Sequence, residues 1–218
     1  MTYSPINSKI ILKDIDVERI KKEIFELKNC FSVISGYQMT KKVAKTMIVI
    51  SEFPIPGEKI FFGTPKDISN GSIFPETEIF EENPHRFIKY YVEENDILMV
   101  AKAGGEIKFA IVPKLTQKYL ISSMLYIIRT RKNSPISPEF LFAYLQSPDG
   151  LRQLKKINYS KNPNLFNFKK VDLENLQIPM NTGISNEILL KLKKSREKLT
   201  NAKLEYENIL SEIKNYWK

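Results

Sequence analysis

The feature that most constrains the fold is an uninterrupted helical pattern near the end of the chain. Residues 185–217 contain neither glycine nor proline, so one helix of about 50 Å can run through them. Their apolar positions recur at alternating spacings of four and three residues, as in a heptad repeat. The nine positions of this seam are Ile188, Leu192, Ser195, Leu199, Ala202, Tyr206, Ile209, Ile213 and Tyr216.

A seam this narrow requires a partner helix, because a long helix is stabilised mainly by packing of its apolar face. The sequence leaves three partners open: a helix predicted from Asp14 or Asp16 to about Lys28, a second copy of the chain, or another protein. The side chains predicted to contact that partner are Ile188, Leu192, Leu199, Tyr206, Ile209 and Ile213.

The composition narrows the possible functions. The net charge of +9 favours an acidic partner such as nucleic acid. The single cysteine, Cys30, excludes an internal disulfide and fits a reducing compartment, and the single histidine, His85, argues against zinc and Ser-His-Asp sites. There is neither an apolar run long enough to span a membrane nor a signal peptide. The sequence therefore predicts a cytoplasmic protein without membrane contact or cofactor.

The middle of the chain predicts short strands separated by turns. Turn signals lie at Asn70-Gly71, between residues 93 and 96, where a hairpin is expected, and at residues 103–106. The predicted strands are residues 31–37, 47–50, 59–62, 87–92, 97–101, 109–112, 119–129 and 176–179. The fold class is therefore α+β: an arm and helix at residues 1–28, a strand-rich mixed domain with one main helix at 29–180, and a long coiled-coil helix at 185–218.

The main helix of this domain begins at Ser137, an N-cap residue followed by proline. A second, shorter helical turn is predicted at residues 151–157. From Arg152 to Lys170 there are six basic residues and no acidic one, interleaved with asparagines and aromatic rings. Cationic side chains can contact the phosphates of nucleic acids, and amide side chains can hydrogen-bond to the edges of bases.

Residues with this chemistry form the predicted DNA-binding set. The phosphate candidates are Lys155, Lys156, Lys161, Lys169 and Lys170, with Arg152 either there or at a base. The base-edge candidates are Asn158, Tyr159, Asn162 and Asn164. A second basic cluster comprises Lys41, Lys42 and Lys45. Phe166 and Phe168 are predicted to be core, because strand alternation places both on one face.

Four segments together resemble the target-recognition domain of specificity subunits of type I restriction–modification systems. They are residues 61–71 (FFGTPKDISNG), 94–113 (ENDILMVAKAGGEIKFAIVP), 140–150 (FLFAYLQSPDG) and 164–179 (NLFNFKKVDLENLQIP). The heptad helix stands where a spacer helix follows in that family. Asn95 departs from the glycine usual at its position. The usual subunit has two recognition domains and two spacer helices, whereas this sequence has room for one of each.

The resemblance implies binding rather than catalysis. A half-length specificity protein would dimerise, and each copy would read one half of a bipartite target in double-stranded DNA. It would direct adenine-N6 methyltransferase subunits there, and the sequence leaves open whether a restriction subunit also takes part. Neither a methyltransferase Asn-Pro-Pro-aromatic or Asp-Pro-Pro-aromatic motif nor a Walker motif is found.

Two other functions stay open at the level of sequence. The first is a coiled-coil adaptor without specific DNA binding. The second is a small mixed α/β enzyme with an acidic site formed by Glu93, Glu94 and Asp96. Those three residues lie in a predicted turn, where acidic side chains are commonly solvated.

Overall fold

The computed structural model describes residues 23–39, 57–81, 83–162, 164–180 and 186–216. The strands of the described residues are β1 (Glu23–Glu26), β2 (Phe31–Ser35), β3 (Glu58–Gly63), β4 (Ile68–Ser69), β5 (Ser72–Ile73), β6 (Thr77–Glu81), β7 (Ile97–Val100), β8 (Lys102–Gly104), β9 (Phe109–Ile111), β10 (Tyr119–Ile121), β11 (Leu125–Thr130), β12 (Leu165–Asn167) and β13 (Gln177–Met180). The α-helices are α1 (Leu27–Cys30), α2 (Pro138–Gln146), α3 (Pro148–Lys156), α4 (Lys170–Glu174) and α5 (Asn186–Tyr216), and 3-10 helices lie at Pro65–Asp67 and Pro84–Tyr90. The predicted α+β class is confirmed.

The centre of the molecule is an antiparallel sheet in the order β2-β11-β7-β9. Strand β7 reads Ile-Leu-Met-Val, and all four side chains are buried. A continuous apolar run is typical of a strand covered on both faces. The sheet accordingly separates two apolar clusters, with Ile97 and Met99 in one and Leu98 and Val100 in the other.

Helices α2 and α3 cover one face of this sheet, and serine N-caps start both. The Ser137 Oγ accepts a hydrogen bond from the Phe140 amide at 3.2 Å, and the Ser147 Oγ accepts one from the Gly150 amide at 3.1 Å. The buried positions Leu141, Leu145 and Leu154 place both helices on the larger cluster. The main helix is therefore confirmed, while the second helix begins three residues before its predicted start.

A smaller sheet in the order β10-β3-β6 lies beyond the second cluster, with β10 parallel to β3 and β6 antiparallel to it. Strands β4 and β5 form a two-residue hairpin through Asn70 and Gly71. Both turn residues have positive φ, 49° and 73°, a backbone conformation that Asn and Gly adopt readily in two-residue hairpin turns. The turn predicted from the sequence is confirmed.

A buried ion pair joins the turn before β7 to β11. The Arg129 Nε lies 3.0 Å from Asp96 Oδ1, and its Nη2 lies 2.8 Å from Oδ2, which also accepts the Glu93 amide at 2.8 Å. Burial raises the pKa of the Asp96 carboxyl, and Arg129 and the Glu93 amide oppose that rise. Since Asp96 is only 2% exposed, this carboxylate of the hypothetical acidic site anchors a turn.

The long helix α5 uses its first half to pack on the rest of the molecule, residues 23–180, which we call the main body. Leu189 and Leu192 contact the larger cluster, Thr200 is buried, and the Lys203 Nζ lies 3.6 Å from the centre of the Phe74 ring. Of these four residues, only Leu192 belongs to the heptad seam, so the helix packs on the main body mainly through a different face. The described part of α5 would extend about 46 Å at 1.5 Å per residue.

Three local predictions are wrong within the described residues. Residues 23–26, expected to be helical, form β1, because their backbone pairs antiparallel with β13. Residues 84–90 form a 3-10 helix where a hairpin strand was expected, and Phe87 from this helix is buried in a third apolar cluster. Residues 119–129, expected to be one strand, are split between two sheets. The strand predicted at residues 47–50 and the start of the N-terminal helix lie outside the described residues.

Candidate nucleic-acid interface

Helix α3 presents the first basic residues of the predicted set. Its buried Leu154 fixes the helix against the core, so that Arg152, Lys155 and Lys156 are exposed. The Arg152 Nη1 lies 2.7 Å from an Asp149 carboxylate oxygen, with both side chains about two-thirds exposed. A pair this exposed contributes little to stability, and Arg152 can exchange it for a phosphate.

The structure divides these three residues between two depressions. Lys155 lines a cleft of about 630 Å³ together with Lys108, Phe166 and the Asn70–Gly71 turn. Arg152 and Lys156 line a second depression with Tyr144 and Gln177. Burial raises the pKa of the Tyr144 hydroxyl, and Asp149 adds to the rise. Lys155 therefore shares a cleft with Phe166 of β12, whereas Arg152 and Lys156 line a different depression.

Asn158 has a structural position in that loop. Its Oδ1 accepts hydrogen bonds from the amides of Ser160 at 3.1 Å and Asn167 at 2.9 Å, and its Nδ2 donates to the Leu165 carbonyl at 3.1 Å. A side chain with both its donor and its acceptor used within the chain holds the loop against β12. Reading a base edge would require these bonds to break.

The remaining loop residues lie on the surface. The Asn162 Oδ1 accepts the Asn164 amide at 2.9 Å and closes a local turn. Tyr159 is about half exposed, and the Lys169 Nζ lies 3.5 Å from the centre of its ring, which is a cation–π contact. Lys161 and Asn164 are exposed. Lys170 lies 3.5 Å from Glu174, one helical turn ahead in α4.

Strand β12 brings in residues that the sequence analysis missed. It pairs antiparallel with β8, so that Asn167 lies opposite Lys102 and Leu165 lies opposite Gly104. Lys102, Lys108 and Asn167 are all exposed beside the predicted loop. The alternation in residues 165–168 already placed Asn167 opposite in direction to the two phenylalanines. The position of Lys102, however, depends on the pairing of β8 with β12, which cannot be predicted from a local sequence pattern.

The two phenylalanines lie as predicted, on the inner side of β12. Phe168 is 2% exposed, and the half-buried Phe166 stacks on it with ring centres 6.0 Å apart. The Tyr126 hydroxyl donates to the Phe168 carbonyl at 2.9 Å, which anchors the end of the ribbon in the core. Lys41, Lys42 and Lys45, the second predicted basic cluster, lie outside the described residues.

Among the residues that the structure describes, no group of three or more His, Cys, Asp or Glu side chains is arranged to hold a metal ion. None of the described helices has both the length and the apolar character needed to cross a bilayer.

Comparison with known proteins yields structural neighbours only. No family model matches the chain, and no curated protein matches its sequence. A chain from a type I R-M system aligns with 90% of this chain and 44% of its own length, at a TM-score of 0.51 and 18% identity. The type IIG restriction endonuclease BpuSI aligns with 80% of this chain and 26% of its own, at a TM-score of 0.56 and 12% identity.

A third neighbour is the HsdS subunit from Thermoanaerobacter tengcongensis, which aligns with 83% of this chain and 38% of its own at a TM-score of 0.48 and 18% identity. The chain thus spans less than half the length of each of these three neighbours. At such identities the likeness concerns the fold, and it confirms at that level the resemblance seen in the sequence motifs. This chain has the fold of a type I R-M chain, and HsdS specificity subunits are among its structural neighbours.

Proposed function

We propose that this chain is the DNA-recognition subunit of a type I restriction–modification system and has no catalytic role of its own. It reads one half of a bipartite target in double-stranded DNA and directs adenine-N6 methyltransferase subunits to it. The observation that carries the proposal is an exposed basic segment without acidic residues, Arg152 to Lys170, on a fold shared with a type I R-M chain. The single cysteine, Cys30, is buried and fits action in the reducing cytoplasm.

The charges of the segment suit its proposed role. Lysines contact the phosphate backbone without regard to sequence, while amides and guanidinium groups distinguish bases. Lys155, Lys161 and Lys169 are exposed in the same segment as Tyr159 and Asn164, so phosphate and base contacts can form there, while Lys156 lines the other depression. Lys41, Lys42 and Lys45 are proposed as further phosphate contacts. Because lysine contacts release counterions, binding weakens steeply as salt rises.

A second copy of the chain is the proposed partner of α5. Its distal half, residues 204–216, exposes a broad apolar stripe in which Tyr206, Ile209 and Ile213 are each about half exposed or more. Its proximal half, residues 187–203, holds six basic and two acidic residues, whereas the distal half holds three acidic and one basic. Antiparallel pairing of two copies places each basic half beside an acidic half. Ile188 and Leu199 are exposed along the same seam, while Leu192 packs on the main body.

Such a dimer explains how one chain can read a divided target. Two-fold symmetry would present two recognition surfaces to two half-sites related by a palindrome. Helices of this length span on the order of 15 base pairs at about 3.4 Å per pair, which sets an upper limit for the gap. A restriction subunit would join the same assembly when DNA is to be cleaved.

The proposal is tested in cells that express this chain with the adenine methyltransferase encoded beside it. Sequencing of methylated bases should reveal a new palindromic, bipartite motif that is absent when either protein is omitted. A variant with Lys155, Lys161 and Lys169 changed to glutamine should abolish that methylation while its thermal unfolding stays unchanged. Absence of any new motif would contradict the proposal. A dimer that binds no DNA in vitro would favour the adaptor instead.

A further inference from the structure

The ribbon formed by β8 and β12 has a shape suited to a DNA groove. Its two strands pair only with each other among the described strands, apart from both larger sheets. Gly105 follows directly after β8 with a φ of 87°, and a Cβ added there would meet nothing within 4 Å. The major groove of B-DNA admits a two-stranded β-ribbon. The glycines at this end leave the backbone free to approach a base pair closely.

The two faces of the ribbon differ in chemistry. The inner face carries Phe166, which packs on the larger apolar cluster. The outer face carries Lys102 and Asn167 opposite each other, with Leu165 opposite Gly104. Lys102 and Asn167 are exposed, and Leu165 is 45% exposed although apolar. The outer face thus combines an amide, a cation and an apolar group, which can bind adenine, guanine and the thymine methyl group respectively.

The ribbon is held in place before any ligand binds. Two Asn158 hydrogen bonds, to the Leu165 carbonyl and from the Asn167 amide, lie along the free edge of β12, and the Tyr159 amide donates to the Asn167 carbonyl at 3.0 Å. The Gly105 amide donates to the Asn164 carbonyl at 3.0 Å and closes the other end. Rigid presentation of side chains lowers the conformational cost of binding. Within the residues that the structure describes, the side-chain amide of Asn167 itself makes no hydrogen bond.

Basic residues frame the ribbon on its sides. Lys108 and Lys155 line the adjacent cleft of about 630 Å³, and Lys169, two residues beyond the end of β12, lies beside Tyr159. Glu106 lines the same cleft, and a glutamate can accept a hydrogen bond from the cytosine amino group. Cations beside a rigid strand pair can hold two phosphate backbones while the outer face contacts the bases between them.

From these observations we propose that the outer face of the β8–β12 ribbon enters the major groove and determines the target sequence. Asn167 and Lys102 contact base edges, and Leu165 contacts a thymine methyl group. Asn158 is a positioning residue, not a reader. The inference rests on the proposed function and deepens it by moving base recognition from Asn158 and Asn162 to the ribbon.

The first experiment selects sequences from a random pool of double-stranded DNA with the full chain. The unchanged chain should enrich one motif. Asn167→Ala should relax one position of that motif and weaken binding to it about 5- to 150-fold, the range of a bidentate base contact. Asn201→Ala is the matched control, since it removes an exposed amide of α5 outside the predicted DNA-binding set, and it should leave the motif unchanged. Lys161→Ala should weaken binding to all sequences alike and lower the salt dependence by about one phosphate contact.

The second experiment tests the groove. The enriched motif is resynthesised with 7-deazaadenine, which removes the N7 acceptor of the major groove at one adenine at a time. At the position relaxed by Asn167→Ala, this base should weaken binding by the unchanged chain and have no further effect on the variant. An unchanged chain that enriches no motif would contradict the proposed function. A motif that is enriched identically by Asn167→Ala, Leu165→Ala and Lys102→Ala would overturn the ribbon inference alone.

Discussion

The main body buries its large apolar side chains, whereas the distal half of α5 leaves many of them exposed. In the main body, residues such as Ile97, Leu141 and Leu154 are completely buried between sheet and helices. In the distal half, Ile209 is 48% exposed and Tyr216 is 89% exposed. Burial of apolar area is the main source of folding free energy. The main body therefore supplies its own stabilisation, whereas the distal half of α5 leaves its apolar side chains for the proposed second copy to bury.

The largest expected effect is on self-association. Changing Ile209 and Ile213 together to serine removes two apolar side chains from each copy of the proposed dimer. We expect dimerisation to weaken at least a thousandfold, about 4 kcal/mol, since full burial of each isoleucine contributes about 1.5–3 kcal/mol. Light scattering after size exclusion measures the oligomeric state. The control is Asn201→Ser with Asn208→Ser on other faces of the helix. A dimer that persists in the isoleucine variant would contradict the proposal that the distal half of α5, unlike the main body, buries its apolar side chains against a second copy.

The next effect concerns the core of the main body. Phe168→Ala should lower the free energy of unfolding by about 3–5 kcal/mol, because the ring is buried and leaves a cavity. Leu165→Ala, three residues away on the outer face of the ribbon, should cost less than about 1 kcal/mol. Urea unfolding followed by circular dichroism measures both. Equal losses from the two variants would mean that the ribbon has no distinct inner and outer face.

Disrupting the buried ion pair should lower the free energy of unfolding by an amount that depends on pH. Arg129→Met leaves the Asp96 carboxylate buried without its cation and should cost about 2–4 kcal/mol at neutral pH. Burial already raises the pKa of Asp96 in the folded protein, and loss of Arg129 raises it further. The folded state then binds the proton more tightly than the unfolded chain does. The penalty should be smallest below the ordinary pKa of an aspartate and should grow as pH rises through the raised pKa.

The matched control for this pair is Glu93→Gln. Glu93 also contacts Arg129, at 2.6 Å, but its side chain is 66% exposed. We expect it to cost less than about 1 kcal/mol. Thermal unfolding between pH 4 and pH 8 distinguishes the two variants. A penalty for Arg129→Met that does not change over this range would contradict the role given to Asp96.

The smallest expected effect is local. Asn158→Ala removes two hydrogen bonds that fasten the loop to β12 and one within the loop, and it should lower stability by about 1–2 kcal/mol. Hydrogen exchange should accelerate at the amides of Ser160 and Asn167, which lose their acceptor. Asn162→Ala removes a single turn contact and should change stability by less than about 1 kcal/mol. Unchanged exchange at Asn167 would rule out the positioning role of Asn158.

Sequence reasoning succeeded where the signal lies within a few residues. The cap at Ser137, the Asn70–Gly71 turn and the buried side of residues 165–168 were all predicted and are all present. It failed at residues 23–26, where an apolar spacing of helical type occurs in a strand. There the pairing of Ile24 with Pro179, across nearly the whole main body, overrides the local preference.

The candidate site was predicted in part. The lysines around α3 are exposed as expected, because charged side chains are seldom buried without a partner. The role of Asn158 could not be predicted, since an asparagine in a loop can satisfy its own backbone or present its amide to a ligand. Only the position of β12 shows which of these occurs. Lys102 was missed for the same reason, as it reaches the site through β8.

The sequence by itself determined the class of the fold, the capped helix α2, the basic character of the segment after it and the apolar seam of α5. These depend on periodicity, caps and charge, which act over one or two turns of chain. The tertiary structure decided which strands pair, which half of α5 packs on the main body and which side chains share a surface with Asn167. Those outcomes depend on burial and backbone hydrogen bonding between segments far apart in the chain. A local sequence pattern does not specify which distant segments come together.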